Sequence, residues 1–327
     1  MATAENAKLQ YEAGQTSTSM TTLTNSGDET TFTSSASLWS RRAGYAPVVL
    51  PNGLLTGGAV TPATAATNNT VDVAALTLNL NGVVTSVAAT AATSITRPAT
   101  AVSKVNSITV NSSGSVVVVA GTDGSTTAFS ETRGAAGGPP LIAVDSVEIA
   151  QVRVTSNTAA VITTAQVFAV VGTHTERADY PLFDINYSGG KVTFLAALPE
   201  IHTGSVPKRV YASFAAPIFS DIQLASDFVP PETTHSLTSV QVYGTTLGST
   251  ASTLNQGSFT AYLQDGVADG LVQLKNQDLW FKFFPDRYKA PYLLTQGKLG
   301  VSRTFPAGDS IQAACTISAT ERATEVG

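Results

Sequence analysis

The sequence predicts an all-β or β-dominated protein: a β-sandwich or barrel-like domain carrying an additional small β-rich inserted domain. Three observations predict it. Short runs with period-two alternation recur every 8 to 15 residues, Gly, Asn-Gly and Asp-Gly dipeptides stand between them, and no 12-residue stretch carries a capped apolar stripe of helical period. A chain of 327 residues has the length of about two ordinary domains, or of one with a large insertion.

Residues 1–37 read as an extended, polar N-terminal arm. Its Thr- and Ser-rich runs are poor free helices; they form either a disordered terminus or strands that order against a partner surface. The first apolar anchors, Leu38, Trp39, Tyr45 and Val48 to Leu50, open the main β-domain, assigned to 38–54 and 136–327. Between Ala43 and Thr96 the only charge is Asp72, and residues 55–135 read as a Thr/Ala/Val-rich inserted β domain. Asn81-Gly82 separates 76–80 from 83–87 and predicts a hairpin. A second hairpin is expected over 107–120. The 134–140 stretch, GAAGGPP, is a loop.

Further strands are expected at 144–155, 165–171, 184–187 paired with 191–195, 210–214, 235–242, 257–263, 272–274, 279–284, 297–303 and 310–319. The spacing of Pro199, Pro207 and Pro217 excludes helix around them. Short helices are expected only at 2–10, 221–226 and near Asn255. The richest local feature is the aromatic run Trp280, Phe281, Phe283, Phe284, Tyr288 and Tyr292. As a strand it presents apolar groups on both faces, so each face needs cover from the core or from a neighbouring element or subunit.

Chemistry is sparse. One cysteine excludes a disulfide framework and a multi-cysteine metal site, and Cys315 in an alternating run reads as a small buried hydrophobe. His174, His202 and His235 are separated by 28 and 33 residues, outside metal-ligand spacing, and read as exposed or hydrogen-bonded structural residues. Nucleophile-elbow, dinucleotide, P-loop and calcium-loop motifs are missing. Asp265 and Asp269 lie four apart in DGVADG; a glycosidase pair is conceivable, but carboxylates so placed form turns. The expectation is therefore a non-enzyme without cofactor or metal. A net charge of −5, with 13% charged residues, argues against a nucleic-acid binder held by counterion release. The longest aliphatic run, 116–120, is too short to span a membrane, and no secretory leader is recognisable at the N-terminus.

The C-terminal order brings together a strand with Trp280 and Phe281, a turn at Pro285 and Asp286, Tyr292 leading into 297–302, the turn Phe305, Pro306, Gly308, Asp309, and a last strand of small residues at 311–320. This arrangement, over roughly residues 205–320, resembles the closing strands of major tail proteins (tail tube proteins) of long-tailed bacteriophages. The resemblance implies a β-sandwich flanked by a short helix, six copies closing into rings, and rings stacking into a tube. DNA would pass through it without specific binding. Tape-measure and tail-terminator proteins would be partners, and the virion tail, after synthesis in the host cytoplasm, the location. On that reading Phe305, Pro306, Gly308 and Asp309, with Trp280 and Phe281, are interface candidates, and Asp265, Asp269 and Asp278 are lumen-facing candidates. The chain is longer than the simplest tube proteins, which would place 55–135 as an added outer domain. Two alternatives stay open: another virion component (a baseplate, receptor-binding or trimeric capsid-decorating protein), and a β-rich hydrolase.

Overall fold

The computed structural model describes residues 4–169 and 182–327. It is largely β-sheet, arranged as several separate sheets. Among the described residues, helix is confined to one four-residue α-turn, Gly270–Gln273, and the 3-10 turns Ala4–Asn6 and Thr164–Gln166. Among these residues no sheet closes into a barrel. Contacts divide the chain into two units, one of residues 1–18, 38–47 and 214–327, the other of 19–37 and 48–213.

The first unit is built on a long antiparallel sheet. Its strands run Ala225–Val229, Gly257–Tyr262, Gln312–Ala319, Tyr292–Thr304, Asp278–Phe284 and Lys8–Thr22, then the second half of Val210–Asp221. Thr324–Val326 pairs with the start of Tyr292–Thr304. Alternation decides which face is covered. In Gln312–Ala319, Ala313, Cys315 and Ile317 are buried while Ala314, Thr316 and Ser318 face out. They join Leu9, Phe259, Leu279, Phe281, Leu299 and Val301 in one core, where the Phe259 and Phe281 rings lie 5.9 Å apart. At about 25 cal/mol per Å² of apolar surface removed from water, each fully buried large side chain contributes about 1.5–3 kcal/mol, which holds this sheet in register.

Residues 8–22, inside the segment read from sequence as an arm, form an interior strand. Lys8 to Tyr11 pair with Phe284 to Phe281, and the ladder stops where the Glu12 side chain takes over. Glu12 is fully buried. Its carboxylate accepts the Trp280 N–H (3.1 Å), the Gln15 amide (2.8 Å) and the Ser40 hydroxyl. The Trp280 indole donates to the Trp39 carbonyl at 2.8 Å, and Trp39 stacks on Phe214 at 4.8 Å. A polar, β-branched stretch is thus fixed by buried hydrogen bonds that satisfy a carboxylate otherwise costly to desolvate.

The second unit holds several small antiparallel sheets. The 76–87 hairpin forms as expected, with Leu80 opposite Val83, and Asn81 (φ +53) and Gly82 (φ +75) supply the two left-handed residues of a tight turn. Gly53–Gly57 lies beside it. The 107–120 hairpin also forms, as Lys104–Val110 with Val116–Ala120, but Val147–Val154 pairs on its other side and Val167–Ala169 beyond. Leu54, Val71, Leu78, Ile108, Val110, Ile149, Val152 and Ile162 share one core. The low-charge stretch therefore packs past residue 135, because the strand at 147–154 completes the same core. Inside it the buried Glu148 carboxylate accepts from Arg133, Ser107 and Gln151, while Arg133 also caps the Pro140 carbonyl at 2.9 Å. The 134–140 stretch is irregular, as its composition dictates. Phe183–Asn186 pairs with Lys191–Phe194, and Val210 to Ser213 pair with Pro51 to Val48.

Several local expectations are corrected. The 272–274 strand is instead the Gly270–Gln273 turn, nucleated by the Asp269 carbonyl, which accepts from Val272 and Gln273. Of the expected 2–10 helix, the first two residues lie outside the described residues, Ala4–Asn6 is a short 3-10 turn, and sheet pairing begins at Lys8. The 221–226 helix is the end of one strand and the start of the next, joined through residues 222–224. The last two residues of the 165–171 expectation lie outside the described residues.

Candidate assembly surface

Thr233–Val242 and Thr245–Leu254 form a sheet of their own, an uninterrupted ladder from Thr233 opposite Leu254 to Val242 opposite Thr245. Gly244, at φ +86, turns the chain at the tip, and Tyr243 beside it is fully exposed. At about 3.4 Å per residue the ribbon is about 34 Å long. Its root is set by sequence: Pro230 and Pro231 have no N–H, so the Ala225–Val229 ladder cannot run into it. The Glu232 carbonyl accepts from Asn255 and the Pro231 carbonyl from Ala323.

Residues 233–254 contain no Asp, Glu, Lys or Arg. Val240 and Leu247 face each other across the ladder on one side, and Leu237 projects on the other. They are 58%, 59% and 74% exposed, and the described side chains from Thr233 to Thr253 are all exposed. A two-stranded ribbon without a covered face is marginal in water, and an uncharged edge is open to pairing with another strand. The second strand of this ribbon had no sequence signal beyond Gly244, because Thr, Ser and Gly give no apolar alternation.

The outward face of the neighbouring sheet continues the same chemistry. Ser302, Thr304, Ala314, Thr316 and Ser318 are exposed there, with Lys298 as the charge among them. Gly300 lies under Thr316, where a Cβ would stand 2.3 Å from the threonine Oγ1. Of the interface candidates, Phe305, Gly308 and Asp309 lie in the exposed turn linking Tyr292–Thr304 to Gln312–Ala319, with Pro306 half-buried. Gly308 sits at φ +76. The Phe305 ring lies over Gly266, and Arg303 donates to the Gly266 carbonyl at 2.6 Å. Trp280 and Phe281 are buried within the chain, the first on the Glu12 cluster and the second in the core.

The aspartates act on the backbone. Asp269 accepts from the N–H groups of Gln264, Asp265 and Gly266 at 3.0, 3.2 and 2.7 Å. Burial pushes its pKa up, but these donors outweigh burial and hold it below the usual carboxylate value. Asp265 accepts from Val267 and Ala268 at 2.7 and 2.6 Å. Asp278, half-buried, opens its strand opposite Lys298. Asp265 and Asp269 therefore brace one turn, and Asp278 stands at a strand end.

An open groove of ≈ 700 Å³ is lined in part by Ala225–Val229, the last strand of the sheet among the described residues. Phe228 and Phe283, stacked at 4.5 Å, line it together with Lys8, Asp221 and Arg287. Its charges are partly matched internally: Lys8 pairs with Asp221 at 3.3 Å and Arg287 donates to the Ala7 carbonyl at 2.9 Å. No family model and no curated protein matches the chain.

The remaining reactive groups are dispersed. Cys315 is buried, and burial pushes its thiol up to about 12. His235 is exposed on the ribbon, His202 is fully buried in the second unit, and His174 lies outside the described residues. Lys282 lies over the Phe219 ring at 4.1 Å and the Tyr292 ring at 5.0 Å, and burial pulls its pKa down. Among the described residues, no group of three or more His, Cys, Asp or Glu is placed to hold a metal ion.

Proposed function

We propose that this protein is a structural subunit that completes its β-structure against copies of itself, as the tail tube subunit of a long-tailed bacteriophage. The observation that carries the reading is the 233–254 ribbon, uncharged and exposed on both faces. Its apolar residues gain cover only from another chain or another part of an assembly. The ribbon follows the strand that helps to line the groove, so knob and groove lie next to each other along the chain. Such a head-to-tail contact closes into a ring when its rotation permits. In this reading the first unit is a sandwich-type tube domain, six copies form each ring, and the rings stack.

The turn at Phe305, Pro306, Gly308 and Asp309, exposed except for the half-buried Pro306, serves subunit contact. The hydroxyl-rich sheet face and an acidic balance suit a conduit that lets DNA pass without capturing phosphates. Side chains serve packing, with no reaction to perform. Tape-measure and tail-terminator proteins are the partners at the tube ends, and the virion tail is the location.

Negative-stain images of the purified chain across a concentration series test the proposal. Six-fold rings that grow into tubes are the expected result. Stable three-fold particles would replace the tube by a decoration or receptor-binding role, and a chain that stays monomeric at high concentration would overturn both.

A further inference from the structure

The groove of the first unit has an aromatic floor. Phe228 and Phe283 stack at 4.5 Å with an interplanar angle of 18°, and both rings are half-buried, resting on the core while part of each stays open to the groove. The charged groups that line it, Glu5, Lys8, Asp221, Asp227 and Arg287, nearly cancel. Lys8 pairs with Asp221 at 3.3 Å, Arg287 donates to the Ala7 carbonyl at 2.9 Å, and Asp227 accepts from the Ser226 hydroxyl at 2.8 Å. So balanced, the groove offers little field to a charged ligand. It suits an uncharged occupant with an apolar body and a hydrogen-bonding end.

The ribbon tip has that chemistry. Residues 233–254 carry no charge, and Tyr243 at the turn is fully exposed, with the exposed Val240 and Leu247 behind it. A tyrosine combines an aromatic body with a polar end and is a preferred interface anchor. Its own groove is out of reach. No ribbon residue lines the groove. The five steps from Phe228 to Thr233 span at most about 18 Å, whereas nine steps of uninterrupted ladder carry the tip about 31 Å from Thr233. The tip therefore stays at least about 13 Å from Phe228, beyond one side chain.

We propose that Tyr243 anchors the ribbon tip of one copy in the groove of a second copy. Its ring lies against Phe228 and Phe283, and its hydroxyl donates to one of the exposed carboxylates, Glu5 or Asp227. The contact is head-to-tail, since tip and groove are different surfaces. This inference rests on the self-assembly reading and specifies which surfaces meet.

Cross-linking in the full chain tests it. Thr245→Cys puts a thiol beside the tip and keeps Tyr243; Ala225→Cys puts one on the groove wall, and both positions are exposed. Cys315, the single native cysteine, is buried. The two variants, carrying tags of different mass, are mixed and treated with a short bis-maleimide over a concentration series. A product joining the two different chains, growing in step with sedimenting assemblies, is expected. Assemblies that form without it, or that give only tip-to-tip products, would overturn the tip–groove contact and leave self-assembly standing. A wild-type chain that never assembles would overturn both. Should a cysteine variant not assemble, Tyr243→Ala decides: it is expected to require roughly 30-fold more protein to assemble with thermal unfolding unchanged, and assembly at the wild-type concentration would overturn the anchor.

Discussion

Replacing both Val240 and Leu247 by alanine isolates the contribution of the ribbon to assembly. The two residues oppose each other on one face and keep 58% and 59% of their surface in water in the single chain. Full burial of such a side chain contributes about 1.5–3 kcal/mol, so covering the exposed fraction contributes about 1–1.8 kcal/mol each. Alanine keeps part of that, which leaves a loss of about 2 kcal/mol per ribbon contact, or roughly 30-fold in association. Neither side chain belongs to a core of the single chain, so folding stability should change by less than about 1 kcal/mol. Sedimentation velocity over a concentration series reads the first quantity and thermal unfolding the second. Assembly at the wild-type concentration in the double variant would refute the reasoning. A large loss of thermal stability would also refute it, because it would show that the ribbon is held within its own chain.

Phe281→Ala should cost about 3–5 kcal/mol in denaturant unfolding, since it empties a fully buried ring position beside Phe259 and Leu299; a cost below 1 kcal/mol would mean the core is not packed as described. Gly82→Ala should destabilise the second unit by about 1–3 kcal/mol, because the position has φ +75 and a Cβ there would lie 2.4 Å from Met20 Cγ; thermal melting checks it. Asp269, with its folded pKa held low, stabilises the chain above the unfolded carboxyl's pKa, and that stability is lost as pH falls through the folded value. Asp269→Asn should remove this part of the acid dependence, and a wild-type-like pH profile would contradict it. Cys315 should resist thiol reagents at pH 8 in the native state and react on unfolding; rapid native labelling would contradict its placement.

Much of the sheet structure was legible because turn chemistry is local. Asn81-Gly82 fixes its hairpin through two left-handed residues, and the alternation of Ala313, Cys315 and Ile317 with Ala314, Thr316 and Ser318 names the covered face directly. Partnering was not legible. Residues 8–22 look like an arm because their polar side chains say nothing of the Trp280 N–H and Ser40 hydroxyl that satisfy Glu12. Nor was it legible that Val147–Val154, a more charged strand, shares the core of the low-charge stretch and buries Glu148 against Arg133. The ribbon was half legible: 235–242 reads as a strand, whereas 245–254, mostly Thr, Ser and Gly, takes its strand form from its partner. Asp265 and Asp269 read as turn formers, and their bonds to five backbone N–H groups bear this out.

Hydrogen exchange of residues 233–254, followed while protein concentration is raised, tests the central claim most directly. The amides facing outward from both ribbon strands should exchange freely in dilute solution and become protected in step with assembly. Exchange that stays fast in fully assembled material, or protection already complete in the monomer, would contradict a ribbon that waits for a second copy.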